Sequence, residues 1–569
     1  MENTISRRQF VGASGFAGAV AISLDAIPAL ANEATEESDW LGQEPQIDNS
    51  AIVAEYTADV VVVGASDAGS IAVRSAAEAG ASVVVIEKGD SVRACGSDIY
   101  VPGSAVQERY GRVNAVDYDE VVASHQAECL HNTKEQIFRR YLKEFGTVFD
   151  WMLEADPDVL ILDTIFDDVP DEYASNYLMP NRYPAPLEDY DYHMEAIPTF
   201  PGTVKFPALK TLTTLNYEKA CEEGDVTGLF GYAGCKLIME DGRCVGVYAE
   251  DLVNGGYVRV NATKGVVLAT GDYKDNKTML DAFTPRCAEN GNNILSILSD
   301  VNGNRACTGD GHRMGVWAGA RMQEFPAINA HNMGGGAGPD GRGVMGINGY
   351  LQLNLDGKRF MNEDIPGSQL ENQIEKLRGR TSYQFFDSAW PEQCKYFPQG
   401  HGVVLYCIDK EPLNHKTNTN WRTLQDVQDA VDSGRAYMAD TLEELVSQLP
   451  GIDQEAALAS IARYNELCAA GRDEDFGKNP IRLFELKNPP YYAVPLTPAM
   501  NLANMDGLES DEDCHTFDQD RNVIPGLYVA GNVQGSRFAH QYPISTPGCS
   551  VGLALFYGYV AGKNAALEI

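Results

Sequence analysis

Ala58-Asp-Val-Val-Val-Val-Gly64-Ala-Ser-Asp-Ala-Gly69 decides the architecture of this chain. The run from Asp59 to Val63, valine throughout after its first residue, predicts a parallel strand buried on both faces. Gly64 permits a sharp turn out of that strand. Gly69 lets the following helix, rich in small residues from Ala68 to Ala79, lie close to the sheet. Free N–H groups at the start of such a helix hold a pyrophosphate. Ser82-Val-Val-Val-Ile-Glu87-Lys88 supplies a second strand ending on a carboxylate that can accept from ribose hydroxyls. Ser66 stands where a G-x-G-x-x-G fingerprint has its middle glycine, and its side chain narrows the backbone's approach to phosphate. Strand, turn, helix, strand and acid in this order indicate a dinucleotide-binding βαβ unit.

Working outward, Gly526-Leu-Tyr-Val-Ala-Gly531-Asn-Val repeats a buried strand and small-residue turn near the other end of the chain, so the sheet is expected to be completed from both ends. A β-meander is expected at Gly234 to Met239, Val245 to Glu250 and Tyr257 to Val260, with turns at Glu240-Asp-Gly242 and Asn254-Gly-Gly256. It leads into a further strand, Lys264-Gly-Val-Val-Leu-Ala269-Thr270-Gly271. Thr308-Gly-Asp310-Gly311 places a carboxylate at another strand–helix junction. From Phe325 to about Met500 the pattern of Gly-rich loops, polar helices and proline breaks predicts an inserted second domain.

Composition narrows the partners. The 569 residues carry 44 Lys and Arg against 81 Asp and Glu, a net charge of −37, which excludes nucleic acid as a natural partner and disfavours an anionic membrane surface. The same charge suits solubility, or steering toward a basic electron-transfer protein. None of the twelve cysteines forms a C-x-x-C pair, which argues against covalent haem, a zinc ribbon or a compact iron–sulfur cluster, and no metal site is expected. Ser6-Arg7-Arg8-Gln9-Phe10-Val11, a Gly/Ala-rich stretch and Ala29-Leu-Ala31 read as a twin-arginine signal peptide over 1–31. The expected location is therefore periplasmic or otherwise extracytoplasmic. With Asp25 interrupting the apolar stretch, no stable membrane span is expected. Residues 32–54 read as a mobile acidic linker.

Taken in register, six stations resemble the fumarate-reductase-like FAD family, which includes soluble fumarate reductases, urocanate reductases and ketosteroid dehydrogenases. They are Gly64–Gly69 with Glu87, Leu268-Ala-Thr-Gly271, Thr308-Gly-Asp-Gly311, Gly357-Lys-Arg-Phe-Met-Asn-Glu363, Gly526-Leu-Tyr-Val-Ala-Gly531 and Thr546-Pro-Gly548-Cys-Ser-Val-Gly-Leu-Ala-Leu-Phe-Tyr-Gly558. The resemblance implies an α/β fold: a Rossmann-like FAD-binding domain over 55–325 and 505–569, split by an inserted α+β capping domain over 326–504. It implies FAD on Gly64, Ala65, Ser66, Ala68, Gly69, Glu87, Lys88, Gly96 and Ser97 from the first part. From later stations it adds Ala269, Thr270, Gly271, Asp310, Gly531, Asn532, Gly548, Ser550 and Val551. The final helix would aim its N-terminus at the flavin's pyrimidine edge.

Family reductases move a hydride from flavin N5 to one carbon of a polarised C=C while a protein acid protonates its neighbour. Here the arginine expected after the Gly357–Glu363 motif is missing, because that stretch reads Asp364-Ile-Pro-Gly-Ser368. The C-terminal arginine that grips a substrate carboxylate is missing too, from Gln541-Tyr-Pro-Ile-Ser-Thr-Pro547, and Asn501-Leu-Ala-Asn504-Met-Asp506-Gly507 stands where a histidine is usual. Without a bidentate clamp a small dicarboxylate is a poor substrate. The candidate catalytic residues are Tyr542, whose Tyr-Pro resembles that of ketosteroid dehydrogenases, with His331, His540 and Arg537. The expectation is an FAD-dependent reductase of an activated C=C in a small, largely uncharged molecule, fed by a separate cytochrome c or quinol-linked donor. Its rivals are a dehydrogenase desaturating a ketone and a non-catalytic electron shuttle. Arg359 is expected to hold the cap by pairing with Glu363 or a neighbouring acid.

Overall fold

Strand β1 (Ile52–Val63) alternates exposed and half-buried positions up to Ala58 and is then wholly buried from Val60 to Val63, so one strand passes from a sheet edge into the core. The structure, a computed structural model, describes residues 40–110, 116–164, 167–173, 176–180, 195, 198, 200–285, 297–331, 344–364, 367–397, 404–406, 421–498 and 500–569. The twin-arginine stretch and its cleavage site lie outside these residues.

After β1 come helix α1 (Asp67–Glu78), β2 (Val83–Glu87) and helix α2 (Tyr118–Glu128). Then follow β3 (Val226–Phe230), β4 (Tyr232–Glu240), β5 (Arg243–Asp251) and β6 (Tyr257–Leu268). Helix α3 (Asp310–Trp317), β7 (His515–Phe517), β8 (Val523–Val529) and helix α4 (Cys549–Leu567) complete the unit. The central sheet has the order β7-β8-β6-β1-β2-β3, with β5 paired to β6 and β4 to β5. Val60 to Val63 align in parallel with Val83 to Ile86 on one side and with Gly265 to Leu268 on the other. The C-terminal strand therefore joins β6, one strand removed from β1, through Val266 against Leu527.

The two faces of the sheet are covered differently. Val60, Val62, Ala68 and Ala72 share a core with Leu553 and Ala561, so α1 and α4 cover one face, and Ser75 Oγ donates to the Tyr559 carbonyl at 2.8 Å. Val61, Val63 and Val84 pack instead with Leu237 and Val247 of the meander. The two strands expected at 257–260 and 264–269 are one twelve-residue strand. Nothing between them breaks an extended chain, and the register shift between Ala58 and Val60 absorbs the bend.

Residues 344–496 build a second sheet, ordered Leu351–Asn354, Ser382–Asp387, Tyr491–Leu496 and Tyr437–Ala439, antiparallel throughout, with its own apolar clusters around Trp390 and Tyr464. A buried ion-pair cluster ties it together. Arg359 Nη2 sits 2.8 Å from Glu363 and 2.9 Å from Asp473, as its sequence position led us to expect for Glu363. Burial pushes the Asp473 carboxyl up, but Arg359 outweighs it and holds the group down at about 2. Arg359→Ala is expected to destabilise the protein by about 3–5 kcal/mol, because Asp473 loses its cation in the interior and Glu363 keeps only Lys478, at 3.7 Å. A depressed folded-state value contributes stability above the unfolded pKa and loses it as pH falls. The wild-type advantage over Arg359→Ala should therefore shrink between about pH 4 and about pH 2, which chemical denaturation at stepped pH measures.

The expected mobile linker over 32–54 is corrected from Trp40 onward. Trp40 packs edge-on against Phe283 at 4.8 Å, Glu44 lies 3.3 Å from Lys236, and β1 already begins at Ile52. An aromatic and an ion pair within an otherwise acidic stretch are enough to hold it down. Among the described residues no helix is long and apolar enough to cross a membrane.

Candidate active site

The C-terminal ends of β1, β2, β6 and β8 converge on one cavity of about 420 Å³. Gly64 leaves β1 with φ +100°, and a Cβ there would lie 2.3 Å from the Ala269 carbonyl oxygen, so only glycine makes this turn beside β6. Of the residues expected to hold the cofactor, all but Ala65 and Gly69 line this cavity. Ala65 is buried behind it and donates its N–H to Glu87 Oε2 at 2.7 Å. Gly69 faces back onto the turn, where a Cβ would meet the Gly64 carbonyl oxygen at 1.8 Å.

The cavity fits a dinucleotide. It is bounded by the start of α1, whose first N–H groups have no helical acceptor. Glu87 stands at its edge, with its second oxygen taking the Gly89 N–H at 2.7 Å. Thr270 Oγ1, which lines it, is buried without a hydrogen-bond partner. At the far end Gly548, φ +83°, opens α4, and a Cβ there would lie 2.7 Å from the Asp98 backbone. A slot shaped by glycine turns, with a donor-rich helix start and an unpartnered Thr270 hydroxyl in its wall, suits a long phosphorylated ligand.

Among the described residues four cations line the cavity, and each is already paired: Lys88 with Asp310 at 2.8 Å, Arg93 with Asp90 at 2.7 Å, Lys205 with Asp98 at 3.1 Å and Lys274 with Asp272 at 3.6 Å. Lys274 also donates to the Leu502 carbonyl at 2.9 Å, anchoring the strand Met500–Asn504 along the cavity wall. These pairings escaped sequence reading because the partners lie in separate segments, except for Arg93 with Asp90 and Lys274 with Asp272, which carried no distinguishing pattern. Asp67 was missed as well, although it occupies the first turn of α1 inside the cavity and accepts from Cys95 N–H at 3.1 Å.

Burial raises the Asp67 carboxyl to about 7. A diphosphate at the same helix start would raise it further, so FAD should bind best with Asp67 neutral. Affinity of the apoprotein for FAD is expected to fall as pH rises through about 7, and Asp67→Asn should flatten that dependence. Flavin fluorescence quenching on titration across the neutral range reads both; an identical slope in Asp67→Asn removes the carboxyl from the account.

Of the three catalytic candidates whose side chains are described, Tyr542 alone lines the cavity. Its phenol oxygen accepts the Gly548 N–H at 3.0 Å, and burial together with the neighbouring Cys549 keeps its proton on far above the usual range. Arg537 and His540, expected near substrate, do not line the cavity. Arg537 is buried, donating to the Gln534 carbonyl at 2.9 Å and to Asn532 Oδ1 at 3.2 Å, with no carboxylate partner among the described residues. Burial lowers it to about 10, so it remains a cation. His540 has φ +66°, which turns its ring outward to Asn132 Nδ2 at 3.0 Å and to Phe325, away from the cavity that Tyr542 faces two residues later. His331 ends a strand paired to Met500, and its side chain lies outside the described residues.

With this geometry in place, comparison with known proteins is direct. The family described as FAD binding domain matches residues 59–553. A digoxin reductase from Eggerthella lenta is 25% identical, covering 100% of this chain and 98% of its own length. A 3-oxosteroid 1-dehydrogenase from Mycolicibacterium smegmatis is 24% identical over 89% of this chain and 97% of its own. The crystal structure of a 3-ketosteroid-Δ4-(5α)-dehydrogenase from Rhodococcus jostii shares the fold with a TM-score of 0.66 at 22% identity, covering 92% of this chain and 100% of that one. This chain belongs to the FAD binding domain family and is an FAD-dependent oxidoreductase.

Proposed function

We propose that the protein reduces an activated C=C bond conjugated to a carbonyl in a largely uncharged, polycyclic or aromatic molecule. FAD, when bound, supplies hydride exchange. The chain's own part is to orient the acceptor and provide the proton. The observation that carries this reading is that each cavity cation among the described residues is paired with a carboxylate, which leaves none of these to clamp a dicarboxylate. Tyr542 supports it further: its oxygen is fixed by the Gly548 N–H, so the phenol can direct its proton to a carbonyl or an adjacent carbon. One relative is named for reducing digoxin and another for dehydrogenating 3-oxosteroids, both polycyclic ligands.

In this reading residues 326–504 form a cap over the flavin unit, and the cavity wall at Leu502 and Ala503 belongs to its return strand. Gly64, Ser66, Glu87, Gly271, Asn532 and Gly548 contact FAD. Electrons come from a separate carrier, a cytochrome c or a quinol-linked donor; the net charge of −37 favours a basic protein partner. The twin-arginine pattern at residues 6–11 supports an extracytoplasmic location.

The test is anaerobic. Purified protein is photoreduced and mixed with enones, enoates, vinyl phenols and stilbene-like compounds, and return of the oxidised flavin spectrum is followed. Enones, 4-androstene-3,17-dione among them, should restore it and fumarate should not. If fumarate restores it as fast as any enone, the reading is wrong. A protein that desaturates a saturated ketone with an artificial oxidant, and never reduces an enone, runs instead as the dehydrogenase.

A further inference from the structure

Arg537 is 1% exposed, yet every group it touches is neutral. Its Nε donates to the Gln534 carbonyl at 2.9 Å and its Nη2 to Asn532 Oδ1 at 3.2 Å. The guanidinium lies 5.3 Å from the centre of the Phe538 ring, and Nη1 is buried without a hydrogen-bond partner. A cation held this way in the interior is costly. The four cations in the cavity wall, by contrast, each have a carboxylate. Asn532 connects Arg537 to the flavin cavity, since it lines that cavity while its Oδ1 accepts from the guanidinium. A guanidinium has five N–H donors and no acceptor, so the end of the amide turned toward it is the carbonyl oxygen. The Asn532 Nδ2 donors therefore point away from Arg537, on the side chain that borders the cavity. The local backbone supports this arrangement: Gly531 turns with φ +72°, and the Gln534 N–H returns to its carbonyl at 3.0 Å.

We propose that Arg537 is a positioning residue for FAD: it turns the Asn532 amide so that an N–H faces the cofactor, and its uncompensated charge makes the site favour reduced over oxidised FAD. The inference rests on the proposed contact between Asn532 and FAD, and it does not depend on which acceptor the enzyme reduces. Two electrons and one proton convert the neutral flavin ring into its anionic reduced form, which carries one negative charge more. A fixed cation in the low-dielectric interior beside the site stabilises that added charge. Burial lowers the Arg537 guanidinium only to about 10, so the charge persists across the neutral range. The titratable groups that act on it, Cys549, Tyr557 and Cys514, are kept protonated by their own burial and supply no counter-charge. A flavin biased in this way is loaded by milder electron donors.

The test uses the full FAD-loaded protein and needs no substrate. The flavin's midpoint potential is read anaerobically against a reference dye in wild type, R537Q and R537K. At a fixed potential the ratio of reduced to oxidised FAD should fall about tenfold or more in R537Q, which is about 30 mV for a two-electron couple. R537K keeps the charge and should stay within about threefold of wild type. Should R537Q not fold, R537M replaces an unpaired buried cation by an apolar chain of similar length, with the same expected fall. The potential reports the ratio of the affinities for the two redox states. A residue that only props the 531–537 turn would weaken both equally, and an unchanged potential in R537Q overturns the proposal. An equal fall in R537Q and R537K overturns it too. Fluorescence quenching on titration of the apoprotein with oxidised FAD tests the amide. N532A should weaken binding about fivefold, and adding R537M to N532A should weaken it no further, whereas additive losses overturn the orienting role. If N532A binds oxidised FAD as wild type does, the Asn532 contact fails, and the potentials of the Arg537 variants still decide the effect of the charge.

Discussion

Tyr542→Phe is expected to lower single-turnover reduction of a conjugated ketone by about 10²-fold or more, with flavin content preserved. Among the candidates whose side chains are described, the phenol alone lines the cavity, and it is buried at 2% exposure with its oxygen on the Gly548 N–H. Phenylalanine keeps the ring's packing against Phe538 at 5.7 Å but removes the O–H that would protonate or polarise the acceptor. It also leaves the Gly548 N–H without that acceptor, so a modest loss of melting temperature, from about 1–3 kcal/mol, should accompany the rate effect. A rate loss that merely follows reduced flavin occupancy, or full turnover with normal flavin, would remove Tyr542 from the chemistry.

Gly64→Val should yield protein that neither carries nor takes up FAD. Two independent penalties act at this residue. The backbone sits at φ +100°, costing a β-branched side chain about 1–3 kcal/mol, and its first carbon would lie 2.3 Å from the Ala269 oxygen. Neither side can yield easily, because Val63 and Leu268 are paired in the sheet on the residues just before. The turn would therefore move into the space meant for the ligand. The ratio of flavin to protein absorbance after purification and after reconstitution reports the outcome; yellow, fully loaded Gly64→Val protein would mean that the cavity does not hold the cofactor.

Much of the central unit could be read before folding because its signals are local. Four successive valines can be satisfied only in a strand covered on both sides, and small residues from Ala68 to Ala79 permit a helix to lie directly on it. The meander was legible from its turn residues, and its last strand was split in error because a polar stretch, Asn261 to Lys264, was taken for an ending. The site was legible only in outline. Cavity positions contributed by glycine turns could be named, whereas Asp67 inside the cavity, Lys274 against Leu502 and Glu128 against Ile544 could not, since the last two are contacts between residues more than two hundred positions apart. Arg537 and His540 failed for another reason. Sequence proximity to Tyr542 suggested a shared destination, but left-handed backbone at Ser536 and His540 turns successive side chains to different sides.

Because β8 is the neighbour of β6, and α4 shares its apolar face with α1, the N-terminal βαβ unit lacks part of its cover until residues 523–567 have been made. A nascent polypeptide emerging from the ribosome thus lacks Leu553 and Ala561 over Val60, Val62 and Ala72, and its cavity lacks Gly531 and Gly548. Flavin capture is therefore expected to wait for residues 523–567, and chains cut short of them should be apoprotein with part of an apolar sheet bare, natural clients for chaperones and proteases.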